Sequence, residues 1–215
     1  MASFRQPLNL DLNVSHLDFD EVFQSPVPMI LENTNTFEGP SFGFRNRLSR
    51  IVWQCAWVLL FRTSPAPLHR WRCWLLRQFG ARVHPTCHVY SSVRIWAPWN
   101  LEMAAHSCLG PEVKCYSMAL VSLGEKAIVS QGVHLCSGSH DYTLESFQLY
   151  AKPILIGADA WVCADAFIGP GVKIGEGTVI GARSVVIRSQ PSWCVCAGNP
   201  SRPLKPRKHP RAPAD

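Results

Sequence analysis

Six aliphatic residues in the second half of the chain stand at intervals of six: Ile156, Val162, Ile168, Ile174, Ile180 and Val186. That spacing matches neither an amphipathic helix, with its period near 3.6, nor an isolated strand, with its period of 2. It matches a solenoid of short strands joined by tight turns, where each rung stacks its aliphatic on the one below. The next residue is small in most cases, as at Gly157, Cys163, Gly169, Gly175 and Gly181. Glycine there is expected to supply a turn geometry that a Cβ resists. Another compact side chain follows four residues after each aliphatic, at Ala160, Ala166, Val172, Thr178 and Ser184.

The same grammar runs backwards in groups of three, at 83, 89 and 95, at 103, 109 and 115, and at 123, 129 and 135. Three hexapeptides make one triangular coil. Successive groups are separated by eight residues, so each boundary is expected to carry a two-residue bulge at a corner. Met103-Ala104 and Cys115-Tyr116 replace the aliphatic–glycine pair, and the early coils are accordingly less regular. From Leu135 the phase jumps 21 residues to Ile156, which exceeds one rung of six by fifteen. The inserted loop, 140–153, opens with His140 in the stretch "SGSHDYT". The fold class is therefore an all-β solenoid, a parallel β-helix spanning 81–200 with an α-helical segment in front.

That segment, 45–80, holds two helices. In the first, Leu48, Ile51, Val52, Cys55 and Leu59 share a face while Trp53, Trp57 and Leu60 cover much of the rest, so burial on most sides is expected. The second is predicted to start at Ser64 as N-cap with Pro65 in the first position, to carry a stripe of Leu68, Trp71, Leu75 and Phe79, and to stop at Gly80. Both helices would cap the open end of the solenoid, which otherwise exposes strand edges. Residues 1–44 read as an extended arm and 201–215 as a basic, proline-rich tail.

Charge is unevenly spread. Between Gly39 and Asn100 there are nine arginines and no Asp or Glu. Such a block attracts phosphates, acidic glycans or an anionic membrane surface, unless its arginines snorkel or pair with acids elsewhere. Nine cysteines without a CxxC pair, and an N-terminus lacking a secretory apolar core, point to reduced thiols in a cytoplasmic protein. The longest apolar run, Ile51 to Phe61, is too short to span a bilayer, although it could lie on one at the inner membrane surface.

Residues 44–205 resemble the hexapeptide-repeat, left-handed β-helix acyltransferases. The stretch "SQGVHLCSGSHDYT", the restart "PILIGADAW" and the ending "CAGNPSRPLK" are similar to those of the colanic-acid-type exopolysaccharide O-acetyltransferases, relatives of the maltose, galactoside and nodulation acetyltransferases. The resemblance implies a homotrimer with acetyl-CoA lying along the solenoid and active sites in clefts between neighbouring coils. His140 matches the catalytic histidine. A sugar hydroxyl is a poor nucleophile at neutral pH and needs an unprotonated base beside it, a task that suits imidazole. Asp141, Glu112 or Glu125 would orient the ring. Trp161 matches a tryptophan that flanks the pantetheine arm, or else packs at a corner between subunits. Ala164 and Ala182 match positions whose backbone binds pantetheine. Ile187 and Arg188 match a Thr–Lys pair, and Arg202 and Lys205 match basic residues that meet CoA phosphates, or else are solvated surface charges. Gly110 stands where the maltose and galactoside enzymes carry an acceptor-contacting asparagine, so the acceptor is expected to be held differently.

The expected activity is acetyl-CoA-dependent O-acetylation of a sugar, in exopolysaccharide or lipid-linked oligosaccharide assembly, without a metal. A γ-type zinc carbonic anhydrase shares the solenoid, and histidines occur at 84, 88, 106, 134 and 140. Zinc needs three converging side chains, and these spacings do not repeat that enzyme's pattern. A trimeric, non-catalytic scaffold is the other alternative. The arginine block lacks a recognisable nucleic-acid-binding module, and no nucleic acid is expected as partner.

Overall fold

The structure, a computed structural model, describes residue 37 and residues 39–208. The expected arm therefore lies almost wholly outside the described residues, as do 209–215 of the tail.

Short strands, of two or three residues except for the last, wind into a triangular prism of five coils and part of a sixth. The first face stacks Arg82–Val83, Leu101–Met103, Val121–Leu123, Ile154–Ile156 and Lys173–Ile174. The second stacks His88–Val89, Cys108–Leu109, Ile128–Val129, Trp161–Val162, Val179–Ile180 and Cys194–Gly198. The third stacks Arg94–Ile95, Lys114–Tyr116, His134–Cys136, Phe167–Ile168 and Val185–Val186. Neighbouring rungs run parallel and in register, as in Val162 opposite both Val129 and Ile180. All fifteen phased positions point inward, and none is more than 4% exposed. The compact residues at Ala160, Ala166, Val172, Thr178 and Ser184 fill the prism between them.

Each coil donates its backbone N–H groups to carbonyls of the next coil, for example Tyr90 N–H to Leu109 O at 3.2 Å and Gly110 N–H to Val129 O at 2.8 Å. The first coil therefore has carbonyls that no preceding coil can satisfy, and buried carbonyls without donors are costly. The helical segment supplies the donors. Helix α1 (Phe44–Ala56) runs on through a π-helical turn, Trp57–Phe61, and α2 covers His69–Gln78. Trp53 Nε1 donates to Ile95 O at 2.7 Å, and Trp57 Nε1 to Val93 O at 2.8 Å. Arg72 Nε donates to Val89 O at 2.5 Å, Cys73 Sγ to Cys87 O at 3.3 Å, and Arg77 Nη1 to Val83 O at 3.3 Å. The two helices are a plug of side-chain donors seated on the open end.

Two readings of this segment are corrected. Helix α1 is not buried on most sides: Trp53, Trp57 and Phe61 are buried, while Leu48, Ile51, Val52, Cys55 and Leu59 face solvent. Helix α2 begins at His69 with Leu68 as N-cap, not at Ser64. The Ser64 hydroxyl donates to Phe61 O, which makes it part of the preceding turn. Of the expected stripe Leu75 is buried and Phe79 partly so, whereas Leu68 and Trp71 are exposed. Gly80 does close α2, at φ +85°.

At the far end the tail begins as a strand. Ser201–Pro206 pairs antiparallel with Cys194–Gly198 and covers the last edge of the second face. No helix among the described residues is long and apolar enough to cross a membrane.

Candidate active site

The eight-residue steps foreseen between coils all fall on one edge of the prism, between the third face and the first. A 3₁₀ turn at Pro98–Asn100 occupies it in the first coil. In the third coil the same edge carries the insertion, which is a β-hairpin of Gly138–His140 paired antiparallel with Leu149–Ala151. Ser137 roots the hairpin: its hydroxyl donates to Tyr116 O at 2.8 Å and accepts from Ala119 N–H at 3.0 Å. Gly138 packs directly on Met118, whose side chain would have to shift to admit a Cβ.

His140 ends the outgoing strand of the hairpin. Its Nδ1 lies 2.8 Å from Phe147 O, and its ring stacks on the Phe147 ring with centroids 5.0 Å apart. A carbonyl only accepts, so Nδ1 carries a proton, and in the neutral form of the ring the lone pair is on Nε2. That tautomer is the one a general base needs. Asp141 does not orient the ring. Its carboxylate accepts the backbone N–H and the hydroxyl of Thr143, at 2.9 and 2.6 Å, and these bonds hold it below the ordinary carboxylate range. Glu125 pairs with Lys126 instead. An open depression of about 690 Å³ lies at the hairpin tip, lined by Phe37, Thr143, Leu144, Glu145 and Ser146.

The other candidate residues stand elsewhere on the prism. Trp161 is on the second face, 46% exposed, with Nε1 donating to Ser130 Oγ at 2.9 Å. Its neighbours along the rungs are Ile128 on one side and Val179 on the other. Further on, Val195 lies opposite Lys205 and Ala197 opposite Arg202. The outer second face thus reads as an apolar strip that ends in two exposed cations. Ala164 and Ala182 sit one coil apart on the edge between the second and third faces, where Arg183 N–H donates to Ala164 O at 2.9 Å. Ile187 and Arg188 are exposed on the hairpin's edge, beyond Val186. Within one chain His140 therefore shares an edge with Ile187 and Arg188 but not with Trp161, Ala164, Ala182, Arg202 or Lys205.

Residues 153–188 match the family model described as bacterial transferase hexapeptide (six repeats). Over 179 residues the chain is 38% identical to a protein named as a colanic acid biosynthesis acetyltransferase, WcaF, of Escherichia coli K12, covering 82% of this chain and 98% of that protein. The chain belongs to the hexapeptide-repeat acetyltransferase family. Solved structures agree on the fold of this acetyltransferase, the left-handed β-helix. A maltose O-acetyltransferase of Clostridium difficile 630 superimposes with a TM-score of 0.70 at 23% identity, over 78% of this chain and 90% of that one. A hexapeptide-repeat acetyltransferase of Vibrio cholerae, solved with acetyl coenzyme A, does so at 0.69 and 22%, over 80% and 95%.

Sequence reasoning missed Phe147, whose carbonyl and ring both hold His140, because a backbone acceptor leaves no residue signature. It also missed Ser137. The signal for that one was present: Ser117 and Ser137 lie 20 residues apart at equivalent corners, and both bridge to the preceding turn. Among the described residues no three His, Cys, Asp or Glu side chains gather as metal ligands. His88 stacks on His69 and His134 packs against Phe167. Gly110 is closely packed: a Cβ there would fall 3.0 Å from Gln131 N, so any side chain would push the adjoining backbone of the next coil by a few tenths of an ångström.

Proposed function

We propose that this acetyltransferase moves the acetyl group of acetyl-CoA to a hydroxyl of a sugar acceptor in polysaccharide or lipid-linked oligosaccharide assembly, with His140 as the general base. The observation that carries the reading is the hydrogen bond from His140 Nδ1–H to Phe147 O, which leaves Nε2 as the acceptor. Nε2 takes the hydroxyl proton as the sugar oxygen attacks the thioester carbonyl. The C–S bond then breaks, and the imidazolium returns the proton to the departing thiolate. The colanic acid relative supports a sugar acceptor.

The apolar strip of Ile128, Trp161, Val179 and Val195 suits the methylenes of a pantetheine arm, with Arg202 and Lys205 placed for phosphates at its end. Ala164 and Ala182 offer backbone groups with little side chain in the way. These residues and the His140 edge lie on different parts of one prism, so a working site draws on two copies of the chain. A homotrimer, with each hairpin edge against the second face of its neighbour, satisfies that requirement.

The test is release of free thiol from acetyl-CoA with a panel of hexoses and nucleotide sugars, comparing wild type with His140→Ala. Turnover should depend on the acceptor and fall by roughly a hundredfold or more in the variant. Equal turnover in both proteins would remove His140 from the mechanism. Failure to bind acetyl-CoA at all would leave a β-helix scaffold as the better description.

A further inference from the structure

Helix α1 buries one face and leaves the opposite one bare. Trp53, Trp57 and Phe61, at i, i+4 and i+8, close the solenoid. At about 100° per residue, Phe44, Leu48, Ile51, Val52 and Leu59 fall on the other side. They are strongly exposed, Ile51 at 61% and Leu59 at 68%. Trp71 and Trp74 extend this surface: their rings stack 5.0 Å apart, and Trp71 Nε1 donates to Leu60 O at 3.1 Å. Exposed Arg45, Arg47 and Arg70 stand in the same two helices and Arg62 in the turn between them, and no acid occurs between Gly39 and Asn100.

A soluble surface seldom leaves this much apolar side chain in one place. Charge opposes a twofold contact of this face with itself. In a twofold contact the patch would meet its own copy and set these arginines against themselves with no carboxylate between. An anionic bilayer answers both features at once, since apolar side chains enter the acyl boundary, indoles sit at headgroup level, and arginines meet lipid phosphates.

We propose that the outer face of α1, with the adjoining Trp71–Trp74 pair, is a docking surface for an anionic lipid membrane. The proposal uses neither His140 nor the strip from Ile128 to Lys205, so the inference stands or falls independently of the transferase reading.

The experiment is flotation of the full chain with vesicles of phosphatidylcholine alone and with about 30 mol% phosphatidylglycerol, in about 0.05 M and about 0.5 M NaCl. Two double variants accompany it, Ile51→Ser with Leu59→Ser and Arg45→Gln with Arg47→Gln, each checked for an unchanged melting temperature. The proposal expects binding to the anionic vesicles at low salt, loss of binding to the neutral ones, and a drop of about tenfold or more in affinity for each variant. It is overturned if the wild-type chain stays in the soluble fraction, if neutral vesicles bind equally, or if the variants bind as well as wild type. Light scattering covers a second copy: a fall in oligomer mass on Ile51→Ser with Leu59→Ser would assign the face to a contact between chains and overturn the proposal. The arm 1–36 carries five acids and one arginine. Binding that appears only after its removal would make the arm the occupant instead, and would equally overturn it.

Discussion

Arg72 is fully buried, and among the described residues no carboxylate bonds to it. Burial lowers its pKa from the ordinary arginine value, which marks the cost of holding a charge there. Neutral oxygens offset that cost. Besides Val89 O, the guanidinium donates to Ser64 Oγ and Pro65 O, both at 2.9 Å, and to Ala66 O at 2.6 Å. One planar fork thus ties the turn between the helices to the first coil, a geometry that an ammonium cannot reproduce. Arg72→Met should destabilise the fold by about 3 kcal/mol, because the carbonyls lose charge-assisted donors. Thermal unfolding would read this as a fall of roughly 6–12 °C. Arg72→Lys should recover only part of it. If Arg72→Met melts within about 2 °C of wild type, the side chain is a passenger and not the tie.

The hairpin and the coils show which parts of the elements were legible in the sequence. The glycine that follows each aliphatic was read as a turn residue, but the left-handed positions fall two residues later, at His106, Lys126, Asp159, Asp165 and Arg183. Gly157 is there because coils are close. A Cβ on it would lie 2.6 Å from Glu176 N, and on Gly175 2.4 Å from Ser192 N. Gly157→Ala should therefore cost about 2 kcal/mol or more by prising two coils apart. Gly169→Ala is the control, since its Cβ would come no closer than 3.4 Å to Val186 O, and it should be nearly silent. Equal melting temperatures for the two variants would sink the explanation. The period of six was visible because every rung places the same class of side chain in the same prism. The facing of α1 was not, because both its faces are apolar and periodicity cannot say which one meets the core. Its indole donors decide, and the carbonyls they serve belong to the first coil, more than thirty residues away.

At the scale of the whole molecule, the prism gives the candidate site its two-part character. His140 was legible as the residue at the largest break in the repeat, and its separation from Trp161, Arg202 and Lys205 follows only once the coils are wound into three faces. If hairpin edge and second face come from different copies, variants damaged in one part should rescue variants damaged in the other. His140→Ala and the double variant Arg202→Glu with Lys205→Glu would each be nearly inactive alone. In the proposed homotrimer, co-expression would give mixed trimers in which some sites take His140 from one chain and both cations from its neighbour. With random mixing each part of a site is intact half the time, so about a quarter of wild-type turnover should return. Thiol release from the co-purified mixture, with the two chains carrying different affinity tags, measures it. A mixture no more active than its parents would place the complete site within a single chain, and the second face would then have to lose its assignment as the cofactor strip.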